Sequence, residues 1–173
     1  NLALQAVLNP PATGKREKKH GDFSFREGDR VMQIRNNYDI LWKRCDGLGA
    51  GTGIFNGDIG TIARIDFEAE LVTIDFDDRR AEYSFDMLSE LEPAYAMTVH
   101  KSQGSEYRAV ILSAFSGSQL LLTRSVLYTA ITRARELFII VGNEEVIAAM
   151  TRNDRQQRRY SGLKLRLEQG EPS

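Results

Sequence analysis

The sequence predicts an α/β fold that is interrupted by a small β-barrel. Short strand-like segments separated by turn residues follow one another from Phe25 to Phe85. Beyond Glu92 the chain alternates between helical segments and continuous apolar runs, Val110-Ile111-Leu112 and Phe138-Ile139-Ile140-Val141. Continuous β-branched runs of this kind are typical of a parallel sheet that is covered on both faces. The barrel is therefore predicted as an insertion into an α/β domain.

Residues 1–21 predict an N-terminal helix of the α/β domain, followed by a linker. Residues recur at the spacing of one helix face, which suits a helix already under way: Asn1, Leu4, Gln5, Leu8 and Asn9. The chain also begins without methionine, so we expect it to be a fragment. Pro10 and Pro11 end the helix, and the polar, glycine-containing run 12–21 has the composition of a linker.

The barrel is predicted over residues 22–92, where turns such as Asn56-Gly57-Asp58 and Asp77-Asp78 separate the strands. The strand-like segments are Val31–Ile34, Gly60–Asp66, Leu71–Phe76 and Glu82–Phe85. About five short strands in about 70 residues favour a small barrel of the SH3-like type, because closing the sheet hides its edges.

Residues 93–152 are predicted to complete the α/β domain, and residues 153–173 to form a basic C-terminal tail. The pattern predicts, in order, a helix over Ala94–Ser102, a strand over Ala109–Phe115, a helix over Val126–Arg135 and a strand over Leu137–Gly142. Asn143 can cap a last helix through Met150, and Glu144 and Glu145 suit the positive end of that helix.

The net charge of −1 argues against a uniformly basic nucleic-acid binder. The charges are unevenly placed: residues 54–92 hold eleven acidic and three basic side chains, whereas residues 151–167 hold one acidic and six basic side chains. If the protein binds phosphates, the acidic middle of the chain is not the main contact.

No apolar run approaches the roughly 20 residues of a membrane span, and no signal-peptide pattern opens the chain. Cys45 is the single cysteine, which excludes an intramolecular disulfide, and with only His20 and His100 besides, a zinc site is not expected. We therefore expect a soluble, cytoplasmic protein that contacts no membrane and has no metal site of its own.

Two segments carry the functional prediction. The run from Ala94 to Glu106 places many polar groups between apolar elements and ends in a glycine turn that leads into a strand. A loop at the edge of a parallel sheet is a common ligand site, and Gly104 lets the backbone approach a ligand closely. Arg133 follows an apolar helix face and precedes a strand, so it too lies at a sheet edge. The structural alternatives are a capped helix with a turn, and an arginine that neutralises a helix C-terminus.

Together the two segments resemble motifs V and VI of superfamily 1 DNA helicases, and the run His100-Lys101-Ser102-Gln103-Gly104-Ser105-Glu106 is similar to the RecD branch. Other segments in the same order support the resemblance: the end of the first helix, Phe25-Arg26-Glu27-Gly28-Asp29, Asn36-Asn37-Tyr38-Asp39 and Phe55-Asn56-Gly57-Asp58. The resemblance extends to about Met150. It implies the second RecA-like domain of such a helicase, interrupted by an SH3-like subdomain.

The resemblance implies that Arg133 is an arginine finger that contacts the γ-phosphate of ATP. The ATP and its Mg²⁺ would be bound mainly by the N-terminal RecA-like domain of the same parent chain. Glu106 resembles the carboxylate that reaches the ribose, with Gln103 and Gly104 forming the turn beside the phosphates. A surface charge before a strand is the alternative for Glu106. The fragment is expected to be inactive alone, because its sequence lacks a P-loop.

The resemblance also implies contacts with single-stranded DNA. Thr98, His100, Lys101 and Ser102 look like the part of the motif that faces the strand, and short donors near a helix N-terminus bind phosphates well. Asn37 and Tyr38 would lie where the barrel rejoins the α/β domain. An aromatic ring beside amides could stack on a base there, and a turn is the alternative.

The chain departs from the family pattern between Asp39 and Phe55, where the usual connection is short. The glycines of this stretch fit neither a dinucleotide-binding pattern nor a P-loop, so we predict a mobile loop. The sequence leaves open whether Trp42 stacks on DNA or covers the barrel.

The predicted function is that of a C-terminal fragment of an ATP-dependent DNA helicase or translocase, moving 5′ to 3′ as the RecD branch implies. One alternative is a non-catalytic interaction module whose acidic barrel, over Ile54–Glu92, binds a protein partner. Another is the helicase half of a conjugative relaxase, or an RNA helicase.

Overall fold

The computed structural model describes residues 1–115, 117–118 and 120–154. The chain divides into two compact units, Asn1–Lys101 and Ser102–Ser173. Apart from Asn153 and Asp154, the predicted basic tail lies outside the described residues. Within the described ranges, no helix has both the length and the apolar character that crossing a membrane requires.

The first unit begins with a helix and continues as β-structure. The helix predicted from the spacing of the first residues is confirmed as α1 (Leu2–Leu8). The strands are β1 (Glu17–His20), β2 (Phe23–Arg26), β3 (Arg30–Gln33), β4 (Asn37–Arg44), β5 (Ala50–Ile54), β6 (Ile59–Asp66), β7 (Leu71–Phe76), β8 (Arg79–Ser84) and, after a 3₁₀ helix at Phe85–Glu90, β9 (Leu91–Pro93).

Seven of these strands form one antiparallel sheet in the order β5-β4-β8-β7-β6-β3-β9, and β1 and β2 form a separate hairpin. Along β7, Val72, Ile74 and Phe76 are buried and the residues between them are half-buried. This alternation is what a sheet with one face on a core requires. The four predicted strands are confirmed as β3, β6, β7 and β8. The core is formed mainly by Val31, Ile40, Ile54, Ile62, Ile65, Val72, Ile74, Phe76, Tyr83 and Leu88.

The mobile loop predicted between Asp39 and Phe55 is wrong, because β4 and β5 form an antiparallel hairpin there. Trp42 of β4 packs half-buried against the core, so it covers the sheet. Its cross-strand partner is Gly51, where a Cβ atom would stand 2.5 Å from Cζ2 of the Trp42 ring. The glycine is therefore needed for the close approach of the ring, and not for mobility of the chain.

The predicted linker, residues 12–21, contains β1. This strand pairs with β2, and the Arg26 guanidinium on β2 bonds to the Glu17 carboxylate on β1 at 2.8 Å. The polar composition that indicated a linker therefore belongs in part to a paired strand, and its Glu17 bonds to Arg26 of the partner strand.

The helix predicted over Ala94–Ser102 is also wrong, since the segment forms turns and bends. The side chain of Asn1 engages both backbone groups of Ala96: its Nδ2 donates to the Ala96 carbonyl at 3.0 Å, and its Oδ1 accepts from the Ala96 N–H at 2.8 Å. A helix would need these backbone groups for its own ladder, so the contact with Asn1 favours the turn.

The second unit contains β10 (Tyr107–Ala114), α2 (Arg124–Ile131), β11 (Ala134–Gly142) and α3 (Glu144–Arg152). The predicted parallel pairing is confirmed between β10 and β11, with Ala109 opposite Leu137. The expected covering of both faces is not found among the described residues. The apolar side chains of Ile111, Leu137, Ile139 and Val141 remain 39–69% exposed.

A buried carboxylate ties α1 to the β-structure of the first unit. Asp29, between β2 and β3, is 0% exposed. Its oxygens accept hydrogen bonds from Gln5 Nε2 at 2.6 Å, Asn9 Nδ2 at 2.7 Å, the Arg26 N–H at 2.7 Å and the Tyr95 hydroxyl at 2.8 Å. Burial, and after it the bond to Asp29, raises the pKa of Tyr95 to about 12, so this phenol keeps the proton that it donates. The charge is thus fully satisfied in a site without water access.

We expect Asp29→Ala to lower the free energy of unfolding by about 3 kcal/mol or more, because three buried donors and the hydroxyl of the half-buried Tyr95 lose their acceptor. Urea denaturation followed by circular dichroism measures the change. Asp46→Ala is the matched control, since Asp46 is exposed and bonds to Arg44 beside the β4–β5 turn. Equal stability of the two variants would contradict the structural role given to Asp29.

Candidate functional site

The two sequence motifs meet at one edge of the parallel sheet in the second unit. Residues 102–106 lead into β10, and Arg133 directly precedes β11. The Tyr107 N–H donates to the Arg133 carbonyl at 2.8 Å, where the two strands begin. This is the amino-terminal edge, whereas open α/β sheets usually bind ligands at the carboxyl edge. Any ligand contact of these two motifs would therefore be made from the amino edge of the sheet.

Backbone carbonyls hold the half-buried Arg133 side chain. Its Nη1 donates to the Ser105 carbonyl at 2.9 Å, and its Nε to the Thr129 carbonyl at the longer distance of 3.4 Å. The Thr132 hydroxyl accepts from Nη2, also at 3.4 Å. These partners are uncharged, so they orient the guanidinium without neutralising it. Because Ser105 follows Gly104, the positive charge lies beside the glycine turn.

The glycine turn itself is open. Gly104 has a φ of +88°, a left-handed conformation that favours glycine, and a Cβ atom there would meet nothing within 4 Å. Gln103 is exposed, whereas Ser102 is buried and its carbonyl accepts from the Ser105 N–H at 3.2 Å. The turn therefore leaves open space beside Gln103 and Gly104, and the buried Ser102 anchors the turn.

Glu106 bonds to an arginine that the sequence analysis did not select. Arg135 Nε donates to Glu106 Oε2 at 2.7 Å, and both side chains are more than half exposed. Next to this pair, Arg108 Nε donates to Glu136 Oε1 at 3.0 Å. Exposed ion pairs contribute little to stability, so the first pair matters mainly for the orientation of Glu106. The sequence signal for Arg135 was weak, because this residue is one of several charges in the run 133–136.

The remaining residues of the first motif belong to the first unit. Thr98, His100 and Lys101 are exposed, and the Lys101 N–H donates to Thr98 Oγ1 at 3.3 Å. The Lys101 ammonium pairs with the Glu92 carboxylate. A cavity of about 260 Å³ lies at this segment, lined by Asn1, Met32, Glu92, Pro93, Ala96, Met97, Thr98 and Lys101. The segment thus offers donors and one cation that is already paired.

The other predicted DNA contacts, Asn37 and Tyr38, lie at the start of β4 and differ in their surroundings. Asn37 Nδ2 donates to the Glu90 carboxylate at 3.0 Å, so the amide is already engaged. The Tyr38 ring is 65% exposed and stands edge-on to Phe55, with centroids 5.5 Å apart. Phe55, itself 40% exposed, was not among the predicted site residues. Tyr38 and Phe55 thus form a pair of neighbouring exposed rings.

Two families match successive parts of the chain. Residues 1–76 match the family described as the ATP-dependent RecD-like DNA helicase SH3 domain, and residues 93–141 match the UvrD-like helicase C-terminal domain. The first match confirms the prediction of an SH3-like domain. The second match covers both segments that carried the functional prediction, the run from Ala94 to Glu106 and the helix that ends near Arg133.

Curated relatives agree with these matches. The ATP-dependent RecD2 DNA helicase of Deinococcus radiodurans is 34% identical over 158 residues, which are 90% of this chain and 20% of the relative. RecBCD enzyme subunit RecD of Mycolicibacterium smegmatis is 37% identical over 118 residues, 68% of this chain and 20% of the relative. The same subunit of Mycobacterium tuberculosis is 42% identical over 81 residues, 47% of this chain and 14% of the relative.

The chain spans about a fifth of the length of the first two of these relatives. Both helicase domain matches occur in the order that the sequence predicts, and the relatives are named RecD or RecD2. The chain therefore belongs to the RecD-like DNA helicase family, of which it holds the SH3 domain and the UvrD-like C-terminal domain.

Proposed function

We propose that this chain is part of an ATP-dependent DNA helicase or translocase, in which its second unit is the closing half of an ATP site. The observation that carries the proposal is the position of Arg133. Its guanidinium is oriented by the Ser105 carbonyl at 2.9 Å and keeps an unneutralised charge beside the Gly104 turn. In this proposal the second unit belongs to the second RecA-like domain of the parent protein.

The proposed chemistry follows from the charge of the reacting phosphate. Transfer of the γ-phosphoryl group spreads negative charge over its oxygens, and a positioned guanidinium accelerates such reactions by about 10³–10⁵. If the nucleotide is bound mainly by another RecA-like domain, Arg133 reaches it only when the two domains close. Hydrolysis would then depend on closure, which is how a motor can couple ATP turnover to movement.

Gln103, Gly104 and Glu106 would contact the same nucleotide. The open turn at Gly104 would lie beside the phosphates, and Glu106 would accept a hydrogen bond from the ribose. Within the described ranges, no three His, Cys, Asp or Glu side chains gather as a metal site requires. As the resemblance to RecD-type helicases implies, we assign Mg²⁺ binding to the N-terminal RecA-like domain.

The first unit would supply part of the path for single-stranded DNA. Thr98, His100, Lys101 and Ser102, the last of these from the second unit, are the proposed phosphate contacts. A DNA phosphate would have to displace Glu92 from Lys101. The contact would weaken as salt rises, because neutralising a DNA phosphate releases counterions. Tyr38 is proposed to stack on a base, and Phe55 supports its ring at 5.5 Å. The direction of movement, 5′ to 3′, is proposed from the RecD branch alone.

In the full-length parent protein, we expect Arg133→Ala to lower DNA-stimulated ATPase turnover at least about a hundredfold while ATP binding stays near normal, since the finger acts on the transition state. Steady-state turnover and equilibrium binding of a fluorescent ATP analogue separate the two effects. Arg124→Ala is the control, because Arg124 on α2 is exposed and pairs with Asp154. Normal turnover of Arg133→Ala would refute the finger.

For the DNA path, we expect Tyr38→Ala to weaken binding of single-stranded DNA by about 1–3 kcal/mol, the range for loss of one stacked base. Titration of a labelled oligonucleotide at fixed salt measures it. Tyr128→Ala is a matched control, because Tyr128 is a similarly exposed tyrosine on α2 at 68% exposure. If both variants bind DNA like the parent, Tyr38 does not stack on the strand.

A further inference from the structure

A β-bulge lies where the candidate nucleotide site joins the parallel sheet. Tyr107 pairs with Ala134, whereas the next pair is Ala109 with Leu137. Two residues of β11, Arg135 and Glu136, therefore stand opposite the single residue Arg108 of β10. Bulges are rare between parallel strands, and they commonly redirect side chains next to functional sites.

Each side chain at the bulge bonds across the strands to a partner of opposite charge. Arg108 bonds to both oxygens of Glu136, at 3.0 and 3.2 Å. Arg135 bonds to Glu106 differently, through a single contact from Nε to Oε2 at 2.7 Å. Among the hydrogen bonds of the described residues, Glu106 Oε1 accepts none. The Arg108–Glu136 pair thus uses both carboxylate oxygens. The Arg135–Glu106 pair leaves Glu106 Oε1 oriented and still able to accept a hydrogen bond.

The charge of Arg135 addresses a difficulty in the proposed function. A bare carboxylate close to the phosphates of ATP would repel them, because like charges raise the energy of the bound state. Paired with Arg135, Glu106 offers an acceptor for a neutral hydroxyl with most of its charge compensated. An arginine suits this task, since its charge is permanent and its planar guanidinium gives each N–H donor a fixed direction.

We propose that Arg135, directed by the β-bulge, is a positioning residue that orients Glu106 toward a sugar hydroxyl of the nucleotide. The Arg135–Glu106 pair thereby makes the site select ribonucleoside triphosphates over deoxyribonucleoside triphosphates. This inference rests on the proposed ATP site, and it adds a specificity element to it. Arg135 itself contacts neither the phosphates nor the reacting atoms.

The test uses the full-length parent protein with ATP, 2′-deoxy-ATP and 3′-deoxy-ATP as substrates. The parent is expected to prefer ATP about tenfold or more in kcat/KM over the analogue that lacks the contacted hydroxyl, as loss of a hydrogen bond to a charged acceptor implies. In Arg135→Ala this preference is expected to fall to about threefold or less, chiefly through a higher KM for ATP. Arg135→Lys, which keeps the charge but lacks the planar guanidinium, is expected to lie between the two.

Arg108→Ala is the matched control, because it breaks the neighbouring pair at the same bulge and should leave the preference for ATP unchanged. Three results would overturn the inference: no preference in the parent, an unchanged preference in Arg135→Ala, or equal weakening of all three nucleotides. The last would make Arg135 a phosphate contact. Arg133→Ala, assayed in parallel, separates the two proposals. If Arg133→Ala loses turnover while Arg135→Ala keeps the preference for ATP, the proposed role of Arg135 is refuted and the arginine finger is not.

Discussion

A buried carboxylate determines how the first unit is assembled. Asp29 has no exposure, and its donors come from α1 and its C-cap, from the end of β2 and from Tyr95. An unpaired charge in such a site is costly, so these segments must come together for any of them to be stable. A consequence appears in α1, where Gln5 is buried while Val7 and Leu8 are 78% and 64% exposed. The polar face of this helix is the inner one.

The strands that the sequence predicted are those whose signal is local. The strand Leu71–Phe76 has its predicted bounds, because alternate burial along one strand shows in the types of adjacent residues. The wrong predictions of a loop and of a helix concern segments whose structure depends on contacts between residues that are not neighbours in sequence. The glycines before Ile54 indicated a loop, but Gly51 makes room for the Trp42 ring across a hairpin. The composition after Pro93 indicated a helix, but Asn1, which is 95 positions away in sequence, engages the backbone of Ala96.

The same distinction applies to the candidate site. That Arg133 lies near the Gly104 turn follows from chain order, because each motif immediately precedes a strand and the two strands pair. That Arg135 bonds to Glu106 could not be predicted, since it depends on a shift of register that no pattern of residue types announces. Phe55 was missed for a similar reason: only the β4–β5 pairing brings its ring to Tyr38.

The edge of the sheet on which these residues lie bears on how the proposed site would work. A sheet binds phosphates most readily at its carboxyl edge, and here the groups project from the amino edge. They would therefore act on a nucleotide that another domain holds. Ser105, whose carbonyl orients Arg133 at 2.9 Å, lies between Gly104 and Glu106. A shift of this short loop displaces the turn, the proposed ribose contact and the guanidinium together. On the proposed function, nucleotide contact and finger position would thus change as one unit, which gives domain closure a direct effect on the rate of hydrolysis.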